Sequence, residues 1–147
     1  MITEHDWERS HGKWFDIVAY LAKVLKTPPK ERDHTQIQSD LYDLEEVFCA
    51  YCEQFNSLCE TERWKDSWGN EVYKDCPLRR VHACYNWGNT GEGMESRYWK
   101  YRDAVDEHRY HHAHGHAVVL LQAIEDTKEE VTGRSMNDYL RSNGRTD

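Results

Sequence analysis

From Ile37 the apolar residues Leu41, Leu44, Phe48, Tyr51, Phe55 and Leu58 follow at alternating spacings of four and three. A chain puts such residues on one side of itself by winding as an α-helix, since a strand needs them at every second position. The spacing predicts a helix over about 34–60, roughly 40 Å long. Asp33, with Gln36 three residues on, suits its N-cap. A second stripe, Trp7, His11, Trp14, Val18, Leu21 and Leu25, predicts a helix over about 4–26. Thr3 to Asp6 reads as its capping box. Thr27-Pro28-Pro29 ends it, because proline lacks an amide hydrogen and restricts the residue before it.

Helical spacing returns near Ser96 and runs to about Thr132. Tyr98, Tyr101, Val105, His108 and His112 make one stripe; Leu120, Ile124, Thr127 and Val131 continue it displaced by one position. A kink, break or π-bulge near Gly115 is expected to absorb the slip. Gly133 suits a C-terminal cap, and Ser135 with Asp138 opens a short last helix before a frayed tail at 142–147. The fold expected is all-α: a three- or four-helix bundle forming one domain over 1–147, with an irregular Cys/Trp-rich insertion at about 61–94.

Composition sharpens that expectation. Val, Leu, Ile and Phe together make 25 of 147 residues, few enough to suggest disorder. Six Trp and nine Tyr answer it, because each buries far more area than an aliphatic side chain. The net charge of −8 disfavours nonspecific nucleic-acid binding, which rests on phosphate neutralisation. No stretch reads as a signal peptide or membrane span. Five cysteines, an odd number without a secretory signal, favour reduced thiols in the cytoplasm.

Those cysteines suggest metal chemistry. Cys49 and Cys52 stand at i, i+3 on the second predicted helix, close enough for both sulfurs to reach one zinc ion. Cys59 lies seven residues further on, about 10 Å along a regular helix, too far to join them. One ligand set is therefore Cys59, Cys76, His82 and Cys84, which would staple the irregular segment to the helix end. The other pairs Cys49 and Cys52 with two of the last three. Cys76-Pro77 also admits an iron–sulfur cluster, and buried unliganded thiols are the plain alternative.

His108 to His116 holds five histidines in nine residues. At i, i+4 spacing His108, His112 and His116 would share a face of one helix, and an H-x3-H pair holds a metal ion well. His11, beside Glu8 on the first helix, completes a conceivable site of His11, His108 and His112. The run His108-x-x-His111-His112 resembles the late-helix histidine signature of DinB-like metal-binding four-helix bundles, in which an earlier helix supplies a third histidine. The likeness covers about ten residues, and the chain is not assigned to that family. The acidic runs Asp43 to Glu46 and Glu125-Asp126 with Glu129-Glu130 read as solvated helix faces, or as a surface offered to a basic partner.

Two functions follow from these readings. One is a small metal-stapled helical binding or regulatory protein that acts through a protein partner, in one version as an acidic inhibitor. Trp64, Trp68 and Trp87 are its contact candidates, since Trp is favoured at interface hot spots. The alternative is a metal-dependent hydrolase or transferase. In it His108 and His112 hold the ion, His11 or Glu8 completes the shell, and Glu107 or His111 moves the proton.

Overall fold

The structure, a computed structural model, describes residues 2–46 and 97–142. The fold is all-α. Helix α1 spans Glu4–Lys26, a 3-10 turn covers Pro29–Glu31, and α2 spans His34–Glu45. Helix α3 spans Arg97–Asp106 and α4 Tyr110–Asp126. Two short helices follow, α5 at Lys128–Thr132 and α6 at Met136–Ser142. The part of the expected second helix beyond residue 46, and the insertion at 61–94, lie outside the described residues.

The caps form where their local chemistry is written. Thr3 Oγ1 accepts from the Asp6 amide at 3.1 Å, Asp33 Oδ1 from the Gln36 amide at 3.1 Å, and Ser135 Oγ from the Asp138 amide at 3.1 Å. Each satisfies one of the amide donors that a helix start leaves unpaired. Gly133 ends α5 with a φ of 81°, and its amide donates to the Glu129 carbonyl at 2.7 Å. That conformation costs glycine nothing, having no Cβ to clash.

Helix α4 lies between α1 and α3 and packs on both, while α1 also packs on α2. Helix α1 runs antiparallel to α4. The Trp7 indole nitrogen donates to the Ile124 carbonyl at 3.2 Å, and one turn on His11 Nε2 lies 2.8 Å from Glu125 Oε2. The Ile2 amide donates to the Val131 carbonyl at 2.8 Å, tying the start of the chain to α5.

The core shows how a chain poor in aliphatics closes. Trp7, Trp14, Ile17 and Leu21 from α1, with Tyr101 and Tyr110, supply the bulk. Facing them are small residues, Ala104 on α3 and Ala113 and Ala117 on α4, all fully buried. Large rings opposite alanines let helices approach and still fill the gap between them. Trp14 meets Tyr101 edge to face at 5.2 Å between ring centroids, a geometry aromatic quadrupoles favour.

The break in the histidine-rich helix falls at 107–109, not near Gly115. Gly115 sits inside an uninterrupted α4. At the corner His108 has a φ of 60°. The Arg109 amide reaches back to the Ala104 carbonyl at 2.7 Å and the His108 amide to the Val105 carbonyl at 3.1 Å. This is a Schellman ending with histidine where glycine is usual. Neighbours hold it in place. Gln38 Nε2 donates to the Val105 carbonyl at 3.1 Å, and the Tyr42 hydroxyl donates to Asp106 Oδ1 at 2.7 Å.

Among the described residues, no helix is long and apolar enough to cross a membrane.

Candidate functional site

The corner at 107–109 decides the fate of the histidine reading. His108 and His112 lie on opposite sides of it, so they are not an i, i+4 pair on one helix. His108 instead stacks flat on His34 of α2, with ring centroids 4.1 Å apart and planes 2° from parallel. His34 Nδ1 in turn lies 2.7 Å from the Tyr110 hydroxyl. His11 stacks on Trp7 at 4.8 Å and pairs with Glu125. His112 is exposed on α4 beside His111. The structure therefore does not assemble His11, His108 and His112. Among the described residues no group of three or more His, Cys, Asp or Glu is placed to hold a metal ion.

His112 and His116 do keep i, i+4 spacing on α4. His116 is committed elsewhere, because Arg97 Nη1 donates to its Nδ1 at 3.2 Å. Burial holds the His116 pKa below its ordinary 6.5, and the positive charges of Arg97 and Lys100 push the same way. A divalent cation would meet that same repulsion. The i, i+4 spacing alone is therefore a poor guide to metal binding here.

The sulfur ligand candidates Cys49, Cys52, Cys59, Cys76 and Cys84, with His82, lie outside the described residues. So do the contact candidates Trp64, Trp68 and Trp87.

Two polar clusters went unnoticed in the sequence. In the first, Glu45 is read there as part of a solvated acidic face, yet its side chain is only 8% exposed. The Tyr98 hydroxyl donates to Glu45 Oε1, and Arg102 Nη1 donates to the same oxygen at 2.9 Å. The Arg102 guanidinium also lies 5.0 Å from the centroid of the Tyr42 ring. Burial raises the Tyr98 pKa well above its usual 10, and the Glu45 charge raises it further. Tyr98 is thus a hydroxyl donor, not a phenolate. A cleft of about 310 Å³ opens over Tyr42, Glu45, Glu46 and Arg102.

In the second cluster, Lys128 is fully buried. Its ammonium donates to both carboxylate oxygens of Glu4, and it sits 4.8 Å from the Trp7 ring centroid and 5.1 Å from that of Tyr139. A carboxylate and two aromatic faces replace the water that a buried cation would otherwise lose. Periodicity cannot announce such a residue, since lysine reads as surface in any pattern.

The side chains left facing water are of a different kind. Phe15 on α1 is 56% exposed, and Val118 and Val119 on α4 are each 40% exposed. Phe15 follows His11 by one turn, with ring centroids 6.3 Å apart. His11 in turn pairs with Glu125, so Phe15 stands on the side of α1 that borders α4. Gly115 is exposed on α4, and among the described residues a Cβ built on it would meet no other part of the fold within 4 Å.

No family model matches the chain, and neither the curated proteins nor the solved structures include a significant match.

Proposed function

We propose that this chain is a small helical binding protein that acts by presenting its α1/α4 face to a macromolecular partner. One contrast carries the reading. Four buried or half-buried titratable side chains serve helix-to-helix contacts: His11 with Glu125, His34 with Tyr110, His116 with Arg97 and Lys128 with Glu4. The apolar side chains Phe15, Val118 and Val119 meanwhile stand in water, where they gain nothing for the fold. A stiff helical face with an aromatic at its edge is what a protein interface uses.

A photo-crosslinking amino acid placed at position 15, at 118 and, as a control, at exposed Thr35 on α2 tests this in the source cells. The expected result is a discrete adduct from 15 and 118 and none from 35. Equal labelling at all three positions, or none at 15 and 118, overturns it.

A further inference from the structure

The exposed positions on the outward face of α4 are nearly symmetric about its midpoint, and the residues at mirrored positions are complementary. Its exposed residues are His111, His112, Gly115, Val118, Val119, Gln122 and Asp126. Reflected about the peptide bond between Val118 and Val119, Val118 exchanges with Val119, Gly115 with Gln122, and His111 with Asp126. His112 exchanges with Glu125, which is half-buried. From 111 to 122 the helix carries no Asp, Glu, Lys or Arg, although such residues make up 31% of the chain. The histidines gather at its N-terminal half and the two acids at its C-terminal end.

We propose that this face binds a second copy of the same chain, with the two α4 helices packed antiparallel across a two-fold axis at Val118 and Val119. This deepens the binding reading above, on which it rests, by naming the partner. An isologous interface must be its own complement, since each residue meets whatever stands at the mirrored position. The pattern meets that demand at three levels. At the centre Val118 packs on Val119 of the second copy. Gly115 gives room to Gln122, because it has no Cβ and, among the described residues, no other part of the fold lies within 4 Å of where one would stand. At each end His111 meets Asp126, so an imidazole N–H donates to a carboxylate. Asp126 Oδ1 already accepts from Gln122 Nε2 at 2.9 Å, and a carboxylate has further acceptor sites. The antiparallel arrangement also sets the positive end of each helix dipole beside the negative end of the other. A parallel arrangement would bring histidines to histidines and acids to acids.

The test is sedimentation equilibrium on the purified, untagged full chain at low salt. The expected result is a reversible monomer–dimer equilibrium. Val118→Glu and Val119→Glu should each weaken the dimer by about tenfold or more while circular dichroism stays unchanged. His111→Glu sets two acids together across the axis, and Asp126→Lys sets lysine against histidine, so each alone should weaken it too. The double variant restores an opposite-charge pair and should recover the dimer. A wild-type chain that stays monomeric, a dimer indifferent to Val118→Glu, or a double variant no better than the singles overturns the proposal. A monomeric chain that still forms an adduct with a different protein from position 15 would overturn the dimer alone. A chain with neither dimer nor adduct would overturn the binding reading as well.

Discussion

The Lys128 ammonium donates to both carboxylate oxygens of Glu4, at 2.9 and 2.8 Å, from a position with no exposure to solvent. This one pair ties the first turn of α1 to α5, and the Tyr139 ring brings α6 to the same point. Lys128→Ala leaves the Glu4 carboxylate without its cation and a gap beneath Trp7. Breaking a buried pair on one side costs about 3–5 kcal/mol, and the partial exposure of Glu4 sets the expectation at the lower end. The double change Lys128→Met with Glu4→Gln keeps volume and removes both charges, so it should lie closer to wild type. Urea unfolding of the three proteins measures the order; Lys128→Ala within experimental error of wild type would refute the assignment.

A second prediction concerns the corner between α3 and α4. His108 holds a φ of 60°, where a Cβ crowds the backbone. Replacing it by alanine or by glycine loses the stack on His34 equally. Glycine adopts the conformation without that crowding. His108→Gly should therefore be more stable than His108→Ala by about 1 kcal/mol. Thermal and urea denaturation of the pair decide it, and equal stabilities would mean the corner is not left-handed in solution.

His116 gives the fold a dependence on pH. Its pKa is lowered in the folded chain by burial, then by Arg97 and Lys100, whereas in the unfolded chain it returns to about 6.5. Between those two values the unfolded chain holds the extra proton. Stability is thus fully present above about pH 6.5 and falls as pH drops toward the lowered folded value, where the loss levels off. Arg97→Gln removes a positive neighbour and should raise the His116 pKa toward 6.5. Following the ring protons by NMR across pH 4 to 9, a range of roughly two units or more on either side of the ordinary histidine value, measures this. A His116 titration unmoved by Arg97→Gln would refute the coupling.

Sulfur chemistry supplies a fourth. The set Cys59, Cys76, His82 and Cys84 has the donor types of a structural zinc site. Protein purified without an affinity tag should carry zinc by elemental analysis, and Cys76→Ser with Cys84→Ser should lose it. Because such an ion contributes to folding, chelation should also lower the unfolding midpoint. Wild-type protein free of metal would leave these residues as ordinary thiols.

Local signals were legible in the sequence and non-local ones were not. The ends of α1 are fixed by Thr3 and by Thr27-Pro28, all within a few residues of the helix they bound, and the spacing of Trp7, Trp14 and Leu21 names the buried side. The capping roles of Asp33, Ser135 and Gly133 are equally local. His108 is the instructive failure. The sequence shows that the stripe slips, but a left-handed residue is ordinarily glycine, so Gly115 drew the break seven residues too far along. That misplacement kept His108 and His112 on one helix and made a three-histidine site conceivable. Glu45 and Lys128 fail for another reason: a charge in a sequence reads as surface until its partner, Tyr98 and Arg102 in one case and Glu4 in the other, is brought in from far along the chain.

The link between Glu45 and Tyr98 has one more implication. Glu45 closes α2 and Tyr98 stands in the first turn of α3, and the two are fastened side by side, with Arg102 bracing the join. The last turn of α2 and the first turn of α3 are thus pinned to each other by side chains of the helices themselves, so removing the Glu45 carboxylate loosens both ends at once.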